Sequence, residues 1–180
     1  NWKFESAPQP QFNNRRIYVP RGKTLGGTSS INGMVYMRGQ RSDYDHWAAL
    51  GNRNWSWDEV LPYFKRAERH FGGATDFHGC DGELCVEEPR VRWEILDAWR
   101  EAAEEAGIPK VDEFNRGDNF GNAYFHMNQR KGVRWSATKA WLREALKRPN
   151  LTLLTKAHTR GLRIGEVDGR KRAIGIEVVV

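Results

Sequence analysis

The sequence predicts a mixed fold of helices and strands, α/β or α+β in class, on three observations. Apolar residues recur at helical spacing in three separate stretches. The C-terminal segment alternates strand-forming residues around a Val167-Asp168-Gly169 turn. Between these segments lie runs of glycine, asparagine and aspartate, the residues that turns select.

Taken in order, Ile17-Tyr18-Val19 reads as a short strand delivering the chain into a glycine-rich run at residues 21–34. Residues 42–50 read as a short helix with Tyr44 and Trp47 turned inward. Ser56-Trp57-Asp58-Glu59 is a capping box, in which the glutamate reaches back to the serine. Val60, Phe64, Ala67 and Phe71 then keep helical spacing, and Pro62 inside the pattern is expected to kink the helix or restart it one residue earlier. Residues 72–90 are turn formers with one strand, Leu84-Cys85-Val86. Ile95, Trp99, Ala102 and Ala106 mark a second helix, stopped by Gly107 and Pro109. Residues 111–132 lose all periodicity and form a long loop of the kind that carries binding function. Ser136 caps a third helix running to Lys147-Arg148, with Ala137, Ala140, Trp141 and Ala145 on its inner face. Strands are expected at residues 150–155, 157–164 and 173–180.

At 180 residues the chain holds one domain or parts of two, and 39% hydrophobic content with eight tryptophans and eight phenylalanines gives it core material. A mean hydropathy of −0.76 comes from its charged surface. The net charge of +6 is spread over small clusters such as Arg15-Arg16 and Arg170-Lys171-Arg172, so no nucleic-acid partner is expected. No transmembrane segment and no secretory leader is expected, which points to the cytoplasm and leaves peripheral membrane association open. The chain opens on Asn1 and closes on Val178-Val179-Val180 like an interrupted strand, as a piece of a longer protein would. Cys80 and Cys85 have neither the number nor the spacing of a zinc site, and Cys85 reads as a small buried residue; no metal is expected.

The glycine run carries the chemistry. Gly26 and Gly27 let the main chain pass close to a ligand, and Thr28, Ser29, Ser30 and Asn32 follow at once with polar groups. Such a stretch is suited to a polar, planar or phosphorylated ligand. It is not a nucleoside-triphosphate loop, because Ile17 stands where that motif needs a glycine. Nor do any two glycines in the chain flank a single residue, so the dinucleotide fingerprint is absent.

The run from Pro20 through Arg21-Gly22-Lys23-Thr24-Leu25-Gly26-Gly27-Thr28-Ser29-Ser30-Ile31-Asn32-Gly33-Met34-Val35 to Tyr36 resembles the first signature of the glucose–methanol–choline (GMC) oxidoreductases, most closely their choline-dehydrogenase-like branch. Asp43-Tyr44-Asp45-His46-Trp47, residues 57–65, Phe77-His78-Gly79, residues 132–137 and residues 148–152 extend the resemblance over the whole chain. It implies part of an FAD-binding domain with part of a substrate domain, in an enzyme that oxidises an alcohol by passing hydride to flavin N5. Residues 1–72 would hold the flavin loop and following helices, 73–131 lead toward the substrate domain, and 132–180 return to the FAD-binding domain. Gly26, Gly27 and Thr28 would run along the pyrophosphate and ribityl chain, and Asn32, Gly33, Met34 and Val35 would edge the isoalloxazine. Thr159 would meet the adenine end. Some relatives tether the flavin through a histidine where Ile31 stands, so non-covalent FAD is expected.

The resemblance places the catalytic histidine outside this chain. His46, His70, His78, His126 and His158 match neither catalytic position and read as surface or hydrogen-bonded structural residues, with His126 the one to watch. No catalytic residue is assigned, and the 180 residues alone are expected to be inactive and poorly soluble. The partner is a small-molecule alcohol, with the electron acceptor open. The competing reading is a non-catalytic anion- or partner-binding module using the basic surface.

Overall fold

A computed structural model describes all 180 residues, which separate into two compact units, Asn1–Arg143 and Glu144–Val180. The first unit opens with β1 (Phe4–Glu5) paired antiparallel to β2 (Tyr18–Val19), and β2 leads into the glycine run as expected. After the run come α1 (Arg41–Ala49) and α2 (Trp57–Ala67), which meet through Tyr44, Trp57 and Phe64; Trp47, expected inward, stays half-exposed. Tyr44 meets Trp47 edge-on at 5.4 Å, and Trp57 and Phe64 each at 5.8 Å; Trp57 is fully buried.

The capping box starts α2, with the Ser56 amide and hydroxyl both donating to Glu59 Oε2 at 3.0 and 2.6 Å. The helix runs through Pro62 rather than restarting at it. The cost is limited to the Asp58 carbonyl, which loses its intrahelical donor on the solvent side. The helix stops at Ala67, short of Phe71. Glu68 turns extended, and β3 (Glu68–His70) pairs parallel to β4 (Leu84–Val86), because the Glu68 carboxylate is tied to buried partners that a helical continuation could not reach. Phe71 therefore lies beyond the strand, half exposed.

In α3 (Glu94–Glu105) the buried residue is Ala103; Ile95 and Trp99 stand on the surface. The long loop is ordered by an Asn-rich core: Asn115 Oδ1 accepts the Arg38 amide at 2.6 Å, and the Asn115 Nδ2 donates to the Tyr36 carbonyl at 3.2 Å. Cys85 is buried, as its apolar neighbours implied. A small ladder, β5 (Gln129–Arg130) with β6 (Val133–Arg134), closes around Lys131-Gly132. The third helix is a π turn over Thr138–Leu142 continued by α4 (Arg143–Ala145), with Ala140 buried and Trp141 partly exposed. It is shorter than the spacing implied.

In the second unit, β7 (His158–Val167) and β8 (Arg170–Val179) form an antiparallel hairpin. Asp168 (φ +53°) and Gly169 (φ +69°) supply the two left-handed residues of a type I′ turn, which matches the strand twist. Residues 150–155 form no strand. The sheet of this unit stays two-stranded, β7 with β8, and the segment enters no ladder.

Candidate functional site

The glycine run folds back on itself, and its glycines divide into two kinds. A Cβ on Gly22 would stand 2.2 Å from the Gly27 carbonyl oxygen, and one on Gly26 (φ +85°) would stand 2.6 and 2.7 Å from Ser30 Oγ and Thr138 Oγ1. These two glycines let the loop close. Gly27 and Gly33 have open space where a side chain would project.

The hydroxyls expected to face a ligand are mostly spent inside the loop. Ser29 Oγ donates to the Gly26 carbonyl, Ser30 Oγ donates to the Leu25 carbonyl at 2.8 Å, and Thr28 Oγ1 accepts the Gly22 amide at 3.3 Å. The run is a folded-back turn that leaves Thr28, Asn32, Gly33 and Val35 exposed, together with the Leu25 and Ile31 side chains. Asn32 makes an Asx turn, accepting the Met34 amide at 3.1 Å. Met34 is held left-handed (φ +64°), a conformation a methionine adopts only when its surroundings impose it. The imposing contacts are visible: the Asn128 amide donates to the Met34 carbonyl at 2.7 Å, Val35 bridges Met127, and the Tyr36 amide donates to the His126 carbonyl at 2.9 Å. Asn128 Nδ2 and Thr138 Oγ1, both beside this loop, are buried without a hydrogen-bond partner. Of the residues expected to meet a cofactor in this loop, Thr28, Asn32, Gly33 and Val35 are exposed and Gly26, Gly27 and Met34 are half-buried. Thr159 belongs to the second unit, exposed on β7 and paired with Val178.

A second cluster escaped the sequence reading. Three of the five histidines meet behind the loop, on β3, on the turn after it and at His126. His78 Nδ1 donates to both Glu68 oxygens at 3.0 Å, and Glu68 also accepts from Arg38 Nη2 at 2.9 Å and the Gly79 amide at 3.0 Å. His70 Nε2 lies 3.3 Å from His126 Nδ1, and Glu113 Oε2 lies 3.0 Å from His78 Nε2. Burial alone pushes the Glu68 carboxyl up, but His78, Arg38 and the Gly79 amide outweigh it and leave it below the usual carboxylate range. Burial lowers His126, and burial together with the neighbouring His78 lowers His70 to about 4.

Donor atoms of His70, His78 and Glu113 lie within 4.8 Å of one another, the proximity a metal centre would show. Two features point to a proton-holding network instead. The His70 and His78 rings stack 4.0 Å apart at 17°, so their in-plane lone pairs run side by side rather than converge. The Gly72 amide donates to His70 Nδ1 at 3.2 Å, which places the proton of the neutral ring on Nε2, facing His126. No short-range spacing could have shown this, since residues 68, 70, 78, 113 and 126 converge only in the fold.

The depressed His70 sets a pH dependence. Its folded value near 4 lies below the unfolded 6.5, so the unfolded chain binds more protons between these values. The stability linked to the neutral ring is fully present above about pH 6.5 and is lost as pH falls toward 4. The melting temperature should drop between pH 7 and pH 5, and His70→Asn should make that drop smaller, the lowered His126 keeping the rest. A melting temperature that holds steady across this interval contradicts the assignment.

The loop folds back on itself, spends most of its hydroxyls internally and leaves open space beside Gly27 and Gly33. The chain belongs to the GMC oxidoreductase family, whose model matches residues 6–180. Among curated relatives it is 43% identical, over 178 residues, to an oxygen-dependent choline dehydrogenase of Sinorhizobium fredii, covering 99% of this chain and 32% of that protein. Among solved structures it superposes on pyridoxine 4-oxidase from "Mesorbium loti" with a TM-score of 0.90 at 34% identity, covering 99% of this chain and 35% of that one. An FAD-dependent oxidoreductase from Chaetomium thermophilum gives a TM-score of 0.88 at 29% identity, covering 98% and 32%. The chain therefore spans about a third of the length of these relatives. No helix is long and apolar enough to cross a membrane.

Proposed function

We propose that the polypeptide carrying this chain is an FAD-dependent alcohol oxidoreductase, and that the loop at residues 21–35 is the wall against which the flavin lies. The observation that carries this reading is the division of the glycines: Gly22 and Gly26 shape the loop, while Gly27 and Gly33 leave open the space a planar ligand needs. The orphaned Asn128 Nδ2 and Thr138 Oγ1 fit the same reading, as polar atoms beside a site for a polar ligand. FAD, when bound, supplies an acceptor for the hydride leaving an alcohol carbon.

The residues of this chain bind and orient. The main chain of Gly26, Gly27 and Thr28 follows the pyrophosphate and ribityl chain, Asn32, Gly33, Met34 and Val35 border the ring, and Thr159 serves the adenine end. Ile31 has no nucleophilic atom, so the cofactor is held non-covalently. The substrate is a small primary alcohol, choline first among candidates because of the named relatives. Segments 1–72 and 132–180 serve the FAD-binding domain and 73–131 leads toward substrate, in a cytoplasmic enzyme. The proton acceptor is not among these residues, and the chain alone is inactive.

Purified full-length polypeptide should be yellow, release all its flavin into solution on acid precipitation, and reduce a dye when choline or a simple alcohol is added. Pigment that stays with the precipitate sinks the non-covalent assignment. A colourless preparation sinks the reading as a whole.

A further inference from the structure

The loop is clamped by one cation from a segment a hundred residues away. Arg134 Nη1 donates to Asn32 Oδ1 at 2.8 Å and to the Ser29 carbonyl at 3.2 Å, and the Ala137 amide donates to Ser29 Oγ at 2.9 Å. Lys139 Nζ in turn holds the Arg134 carbonyl at 2.7 Å. With the Met34 amide on the same oxygen, Asn32 Oδ1 is engaged by two donors, one of them charged.

This settles the orientation of an exposed carboxamide that would otherwise turn over freely. Flipped, its NH2 would face a guanidinium and an amide N–H, donors against donors. The oxygen therefore stays inward and Nδ2 is the end left to the exposed side. The guanidinium also polarises the amide, so that Nδ2–H becomes a stronger donor.

We propose that Arg134 is a positioning residue: acting through Asn32, it presents a fixed, polarised N–H donor on the flavin-facing loop and thereby favours the reduced, more negatively charged form of the cofactor. The inference rests on the flavin reading above. Reduction takes two electrons and one proton from an external reductant and leaves the cofactor one negative charge richer, which is the charge a nearby donor stabilises.

The test uses the full-length flavoprotein, titrated with dithionite against a reference dye to give the midpoint potential. Arg134→Met should keep bound FAD yet weaken the preference for the reduced form about tenfold, a shift of about 30 mV to lower potential for a two-electron couple. Arg134→Lys, which keeps the charge and loses the planar fork, should fall between. Asn32→Ala removes the relay at an exposed position, together with the Asx turn onto the Met34 amide, and it should shift the potential as Arg134→Met does. The double variant should go no further than either single one, because both break the same chain. An unshifted potential in coloured Asn32→Ala or Arg134→Met protein overturns the inference alone, and so does a fully additive double variant. If Arg134→Met does not fold, Asn32→Ala and Arg134→Lys decide it. A colourless unmodified polypeptide overturns the flavin reading as well, so the two failures are told apart.

Discussion

Replacing Glu68 by alanine should cost about 3–5 kcal/mol of folding stability, the range for removing one partner of a buried ion pair. The Arg38 and Glu68 side chains are 1% and 0% exposed, and the carboxylate is the only anion on the guanidinium. Arg38 would keep its donation to the Phe77 carbonyl at 2.7 Å and its contact with the Tyr36 hydroxyl at 3.3 Å, but its charge would be left without compensation. His78 Nδ1 would lose its carboxylate partner, and the Gly79 amide would be orphaned. Glu68→Gln keeps the shape and part of the hydrogen bonding, so it should cost less than alanine and still destabilise. Urea midpoints of the full-length protein report both. A shift below about 1 kcal/mol for Glu68→Ala would contradict the role of this carboxylate as the charge that compensates Arg38.

That network also marks the boundary of what the sequence could disclose. Features set by neighbours in the chain were legible: the Ser56–Glu59 capping box, the Leu84-Cys85-Val86 strand and the Asp168-Gly169 turn all stand where spacing and turn chemistry placed them. Where long-range partners decide, spacing misleads. Helical periodicity carries Phe71 into α2, yet the buried carboxylate of Glu68 ends the helix four residues earlier. Residues 150–155 have strand composition yet enter no sheet. The candidate site divides along the same line. The position of the glycine loop was readable from residues 20–36 alone. Its internal wiring was not, because Arg134 and Ala137 reach it from more than a hundred residues away and the serine hydroxyls turn inward to hold it.

The glycines permit a sharper separation of shape from binding than any single substitution. Gly22→Ala forces a methyl against backbone, 2.2 Å from the Gly27 carbonyl oxygen, and no side-chain rotation can relieve that contact. The loop must open, at a cost on the order of 1–3 kcal/mol, as for other overpacked positions. The open surface built on Gly27 moves with it, so flavin content should fall at least tenfold. Gly33→Ala places its methyl in free space and should leave the melting temperature of the flavin-free protein nearly unchanged, within about 0.5 kcal/mol. If the ring lies against Gly33, that same methyl stands in its way, and flavin occupancy should fall while the fold is intact. Comparing the two variants by melting of the flavin-free form and by flavin content of the loaded form distinguishes a glycine the loop needs from a glycine the ligand needs. Full flavin content in Gly33→Ala would move the cofactor off this face of the loop, and an unperturbed Gly22→Ala would show that the close approach of Gly22 to Gly27 is not what shapes it.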